Sequence, residues 1–138
     1  MAIKRLDHIA IAVPNLEASL EFYTKQLGMN LITIETVEEQ GVRVAKVDAG
    51  NTHIELLEPL SPDTPVGKFL AKRGSGLHHI CMGVDDIADQ VNCLVEANVD
   101  MIDKQPKVGA EGARIAFVHP KATGGVLLEL SQPVKEHH

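Results

Sequence analysis

RLDHIAIAVPNL at residues 5–16 and GLHHICMGVDDI at residues 76–87 are two versions of one phrase. Shifted by 71 positions, Leu6 meets Leu77, His8 meets His79, Ile9 meets Ile80, Val13 meets Val84 and Leu16 meets Ile87. A second match follows at a shift of 74, where Ile54, Glu55, Leu56 and Pro59 of IELLEP meet Leu128, Glu129, Leu130 and Pro133 of LELSQP. Two matched stretches in the same order mark a duplicated module, and one small insertion accounts for the different shifts. The repeats cover about 1–59 and 77–133. LSPDTPVGKFLAKRGSG, residues 60–76, joins them, and its prolines and glycines mark a linker that can hold one short helix. The 138 residues suit one domain, 1–138, in which both repeats share a core.

Each repeat has the same grammar. An apolar strand, LDHIAIAV or LHHICMGV, leads to an N-cap, Asn15 or Asp86. Leu16, Leu20, Tyr23 and Leu27 then recur at helical spacing, with Gly28 as the stop, and Ile87, Val91 and Leu94 do so in the second repeat. Three further strands are predicted near 29–35, 42–49 and 52–58, and again near 99–103, 113–119 and 125–131. The fold class is therefore α+β: two tandem βαβββ modules forming a curled mixed sheet around a cleft.

Alternation along the strands locates that cleft. His8, Ala10 and Ala12 share one face, opposite Ile9, Ile11 and Val13; His79, Cys81 and Gly83 share a face opposite Ile80, Met82 and Val84. The bulky side belongs against the helix. The histidine side is lined with small residues, which leaves space for something other than side chains. Glu55 and Glu129 stand between apolar neighbours on the last strand of each module, an odd setting for a carboxylate that only needs water. A lone strand histidine is usually a satisfied core or edge residue, and a lone strand glutamate usually faces solvent. Their recurrence at equivalent places favours a four-ligand site of His8, Glu55, His79 and Glu129. Two imidazoles and two carboxylates suit a borderline divalent ion, Co²⁺, Mn²⁺, Ni²⁺, Fe²⁺ or Zn²⁺. His78 faces away from His79 and is read as structural. His53 shares the parity of Glu55 and is read as supporting that residue or exposed, and His119 as helping the chain turn. His137 and His138 are given no role.

Composition narrows the partners. A net charge of −6 and 3% aromatic residues argue against nucleic acid. No apolar run reaches membrane-spanning length, and MAIKRLDHIAIAV runs into a patterned strand without a signal-peptide cleavage site. Cys81 and Cys93 are too few for a disulfide scaffold and are read as buried, reduced thiols of a cytoplasmic protein.

The paired βαβββ pattern with His…Glu…His…Glu resembles the vicinal oxygen chelate superfamily (glyoxalase, bleomycin resistance, dioxygenase). DHIAIAVPNLEASLEFY, GVRVAKVDAGNTHIELLEPL, GLHHICMGVDDI and above all IAFVHPKATGGVLLEL are similar to the methylmalonyl-CoA epimerase family, over about residues 5–132. The resemblance implies metal ligands at His8, His79 and Glu129, with Glu55 where some members carry glutamine. It implies exchange of the (2R) and (2S) forms of methylmalonyl-CoA through a metal-stabilised enolate, with Glu129 as one catalytic base, a CoA thioester as partner and a homodimer. The place where some members carry the other base is Val44, which moves no proton. Glu55 is the candidate for that role, with Lys46 a weaker one. Lys68, Lys72, Arg73, Lys104, Lys107 and Lys121 offer positive charge for coenzyme A phosphates, although each also reads as an ordinary surface charge. The glycines of KVGAEGARI, residues 107–115, would allow that loop to close over substrate. A glyoxalase-type lactoylglutathione lyase is the nearest rival, since it uses the same four-ligand geometry. A ring-cleaving dioxygenase would find Glu55 crowding oxygen. A metal-free sequestering protein of the same fold would have no use for four ligands.

Overall fold

The computed structural model describes residues 3–134; His137 and His138 lie outside the described residues. The strands are β1 (Ile3–Ala12), β2 (Leu31–Val37), β3 (Val42–Asp48), β4 (His53–Pro59), β5 (Gly76–Val84), β6 (Lys107–Val108), β7 (Arg114–Val118) and β8 (Leu128–Gln132). The helices are α1 (Leu16–Glu21), α2 (Pro65–Arg73), α3 (Ile87–Glu96) and α4 (Pro120–Thr123). The eight strands form a mixed sheet in the order β2-β3-β4-β1-β5-β8-β7-β6. Each module thus gives four strands in an equivalent order, with its first strand parallel to its last and its other pairs antiparallel. The chain divides into two compact units, 8–78 and 1–7 with 79–138.

The first unit builds its core on the face opposite His8. Val13, Leu16, Leu20, Ala45, Val47 and Leu56 are buried together, and Ile11, Tyr23, Met29 and Ile54 pack against them. Asn15 caps α1 by accepting from Ala18 N at 3.0 Å. After Glu21 the helix widens, and Leu27 N donates to Phe22 O, five residues back, at 3.1 Å. The extra residue in that turn rotates Leu27 off the apolar stripe, so Leu27 is exposed, contrary to its spacing. Gly28 follows at φ +72°, a conformation that glycine adopts without penalty. Met29 N still bonds Tyr23 O, which delays the next strand to Leu31. The linker holds α2, capped by Thr64.

The second unit repeats the plan with Val84, Ile87, Val91, Ala116, Val118 and Leu130. Asp86 caps α3 through Asp89 N at 3.1 Å. His119 caps α4 through Nδ1, which accepts from Lys121 N at 3.0 Å, and so does turn the chain. Two expectations change here. The strand expected at 99–103 is reduced to one bridge, Met101 with Val118. The chain leaves the sheet because Ile102 N and Asp103 N both turn to Phe117 O, and Pro106 has no N–H to offer a ladder. The edge strand is instead the two-residue β6. Neither cysteine forms a disulfide; Cys81 is buried as expected but Cys93 is exposed on the outer side of α3.

Space over Gly83 is also filled. A Cβ there would lie 2.8 Å from Arg5 Cζ, so the arginine stem occupies the room that the small residue leaves.

One tie is common to both modules. Leu16 N, at the start of α1, donates to Glu58 Oε2 at 2.8 Å, and Ile87 N, at the start of α3, donates to Gln132 Oε1 at 3.0 Å. Glu58 and Gln132 occupy the same place in the repeat. Each satisfies an otherwise orphaned helix N–H and fastens the last strand to the helix. Arg43 bridges Glu58 to Glu17, at 3.2 and 3.0 Å, and bonding to Glu17 raises its pKa above the usual guanidinium value. Gln132→Ala is expected to lower stability by about 1 kcal/mol and Glu58→Ala by about as much or more, since Arg43 loses a partner as well. Urea unfolding of both variants measures this.

Candidate metal and acid–base site

The parallel pairing within each module sets the geometry. On β1 and β4, His8 stands opposite His53 and Ala10 opposite Glu55. On β5 and β8, Cys81 stands opposite Glu129, two residues after His79. In both cases the small residue opposite the glutamate leaves the carboxylate room to turn back to the histidine.

The result is one buried imidazole–carboxylate pair per module. His8 Nδ1 lies 3.2 Å from Glu55 Oε2, and His79 Nε2 lies 2.9 Å from Glu129 Oε1. Among the described residues the buried polar or charged set is His8, Glu55, His79, Glu129 and Ser131. Four of those five are the residues singled out from the repeat. Burying a carboxylate is costly unless hydrogen bonds or an ion compensate it, so both pairs need a compensating role.

The surroundings of the two pairs differ. In the first module His53 Nε2 is 3.1 Å from the same Glu55 oxygen that faces His8, and the two imidazoles lie 5.1 Å apart at 33°. His53 is half-buried and supports Glu55, one of the two readings its parity allowed. In the second module the Phe117 ring stands edge-on to His79 at 5.4 Å. Sequence reasoning passed over Phe117, although its parity with Ile115, opposite to Ala116 and Val118 in the helix-side core, places it on the site face.

Donor atoms cluster within each module. His8 and His53 bring ligand atoms within 4.8 Å of each other, and so do Cys81 and Glu129. Imidazole and carboxylate donors of this kind suit borderline divalent ions. Val44 is buried and apolar, and Lys46, half-buried, is paired across the strands with Glu55. His78 packs edge-on against Phe69 at 5.0 Å, a structural role as expected. No helix among the described residues is long and apolar enough to cross a membrane.

Removing His53 tests the support it gives. His53→Leu and Glu55→Gln, combined in a double-mutant cycle on metal-free protein, are expected to show a coupling of about 1 kcal/mol by denaturant unfolding. Additive effects would remove His53 from the support of Glu55.

Known proteins resemble this chain in sequence and in fold. The sequence profile of the Glyoxalase/Bleomycin resistance protein/Dioxygenase superfamily matches residues 7–117. The mitochondrial methylmalonyl-CoA epimerase of Mus musculus is 43% identical over 93% of this chain and 72% of its own. The ethylmalonyl-CoA/methylmalonyl-CoA epimerase of Cereibacter sphaeroides is 42% identical, over 94% of this chain and 98% of its own. A solved structure of a methylmalonyl-CoA epimerase in complex with methylmalonyl-CoA and NH4+ is similar with a TM-score of 0.91 and 40% identity, over 96% of both chains. The chain belongs to the Glyoxalase/Bleomycin resistance protein/Dioxygenase superfamily, in the family of the methylmalonyl-CoA epimerases.

Proposed function

We propose that this protein interconverts the (2R) and (2S) forms of methylmalonyl-CoA by moving the proton on C2, with His8, Glu55, His79 and Glu129 as the ligands of one divalent cation. The observation that carries the reading is the pair of buried imidazole–carboxylate couples at equivalent places of the repeat. Their donors match a borderline ion such as Co²⁺, Mn²⁺, Ni²⁺ or Zn²⁺. When bound, the ion supplies Lewis acidity toward the charge that develops on the thioester oxygen.

The residues then divide the proton work. C2 lies between two carbonyl carbons, so its proton is acidic enough for a carboxylate to remove. Glu129, ionised at the start, would take it from one face, and Glu55, protonated at the start, would return its proton to the other, which leaves Glu129 protonated and Glu55 ionised. The reverse reaction exchanges their roles, and no net proton is gained or lost. Both groups must come within hydrogen-bond reach of C2. Their burial keeps bulk water from quenching the carbanion on the wrong face. His53 fixes the rotamer of Glu55 through its bond to Oε2. The reading treats the two modules as one domain.

A homodimer fits the apolar side chains that edge strand β2 exposes, Leu31, Ile32 and Ile34. A cytoplasmic setting fits two cysteines that form no disulfide. Sedimentation of the purified protein at twice the chain mass of 14.9 kDa would support the dimer.

The decisive experiment follows the C2 proton of methylmalonyl-CoA by NMR in D₂O, together with chiral analysis of the product. The wild type with Co²⁺ is expected to exchange the proton and to epimerise. Chelation is expected to abolish both and to lower the melting temperature, and added Co²⁺ to restore them. Glu129→Gln is expected to slow both by about 10²–10⁴-fold. Glu55→Gln should lose epimerisation while keeping exchange of the epimer whose proton faces Glu129. Absence of exchange in the metal-loaded wild type would overturn the assignment and move the search to glutathione hemithioacetals. Absence of any metal effect on stability would favour a metal-free binding protein.

A further inference from the structure

We propose that Phe117 is a positioning residue for His79, held in place by the loop that Asp103 and Lys107 fasten. The inference deepens the reading above, which makes His79 a metal ligand. It starts from the backbone. Phe117 N donates to Asp103 Oδ2 at 2.9 Å, while Phe117 O accepts from Ile102 N at 2.9 Å and Asp103 N at 3.2 Å. Both polar groups of this residue are therefore fixed from one side, by a segment 14 residues earlier in the chain.

That has a consequence on the other side. Phe117 is paired with Glu129 across β7 and β8. Since its N–H and C=O turn toward residues 102 and 103, the pair is of the non-hydrogen-bonded kind. Such pairs bring Cα atoms to roughly 4.5 Å and their side chains closest together. The ring is thereby delivered beside the His79–Glu129 couple.

There it meets His79 at 5.4 Å and 90°, within the range and geometry that aromatic pairs favour. An imidazole bonded to one carboxylate can still swing about its ring axis. A perpendicular ring packed on it removes that freedom and leaves one orientation, with Nε2 on Glu129. Lys107 closes the assembly: its Nζ lies 5.2 Å from the Phe117 centroid and 3.1 Å from Asp103 Oδ1, so the cation is held to the ring and to the carboxylate that pins the ring's backbone. The first module uses another device. Its equivalent of Phe117 is Lys46, and His8 is flanked by His53 instead.

Phe117→Leu and Phe117→Met test the role, with Phe117→Tyr as the conservative variant and Asp103→Ala as the release of the anchor. Two measurements are made: Co²⁺ affinity with its visible d–d spectrum, and the imidazole ¹⁵N signals of His79 in metal-free protein. The ¹⁵N signals report tautomer and hydrogen bonding rather than ring current. Leucine and methionine are expected to weaken Co²⁺ binding about tenfold, the lower end of what residues behind a metal ligand contribute, to alter the spectrum, and to cost His79 its single tautomer. Tyrosine should restore all three, and Asp103→Ala should shift them less but in the same direction. Circular dichroism identifies any variant that fails to fold, and the other apolar variant then decides. Unchanged affinity, spectrum and ¹⁵N signals in folded Phe117→Leu or Phe117→Met would overturn the positioning role. If the wild type binds no Co²⁺, the ligand reading fails separately. The metal-free ¹⁵N signals then decide alone: a lost tautomer upholds the role, and an unchanged one overturns it.

Discussion

Among the described residues two carboxylates are buried, and the rest of the structure is arranged so that this is tolerable. A carboxylate out of water requires donors or an ion near it. The parallel pairing of first and last strand meets that need in each module. It sets alanine or cysteine opposite the glutamate and a histidine two residues earlier, so the acid reaches the imidazole across one strand spacing. The apolar face of the same strands must then be covered separately. That task falls to α1 and α3, which follow directly from the histidine-bearing strands. A strand polar on one face and apolar on the other, followed at once by a helix, meets both demands with the least chain.

The same logic explains which features could be read from the chain alone. Period-two alternation and the repeat are properties of short stretches, so the burial of His8, Glu55, His79 and Glu129 and both helix caps were legible. Glu55 and Glu129 stood out because their neighbours are apolar. Contacts that depend on a segment leaving the sheet were not legible. The strand expected at 99–103 has suitable residues, but two backbone N–H groups are claimed by Phe117 O, and the chain departs. Leu27 keeps its spacing yet loses its burial, because one turn of the helix is wider than the spacing assumes. The small residue at 83 signalled space correctly but not its occupant, since Arg5 lies 78 positions away in the chain. Phe117 carried a readable signal in its parity. That signal is weak in isolation, because an aromatic residue on a strand is most often ordinary core.

Duplication also suits the chemistry, for a reason independent of ancestry. Epimerisation runs between two nearly equivalent substrates, so the catalyst needs an acid–base group for each face of one carbon. On the proposal that Glu55 and Glu129 are those groups, a repeated module supplies both carboxylates in similar settings. The repeats have nonetheless diverged in what surrounds those carboxylates. Glu55 Oε2 faces two imidazoles, His8 and His53, whereas the His79–Glu129 pair is bordered by an aromatic ring. The repeated frame preserves the placement of the acids, and the unlike neighbours allow each to be adjusted by itself.

That division of labour is visible along a single strand. Glu55 and Glu58 are three residues apart on β4, as Glu129 and Gln132 are on β8, so alternation sends them to opposite faces. One member of each pair turns to the histidine; the other accepts from the first N–H of the helix. The helix-side member is charged in one module and neutral in the other. Its shared function therefore cannot be charge and must be the hydrogen bond that ties strand to helix. A carboxylate is only as well placed as the strand that bears it, and a strand is only as well placed as its attachment to the core. The tie and the acid lie within one turn of the pleat from each other, so the module that repeats is best described as an anchored strand with a carboxylate beside its anchor.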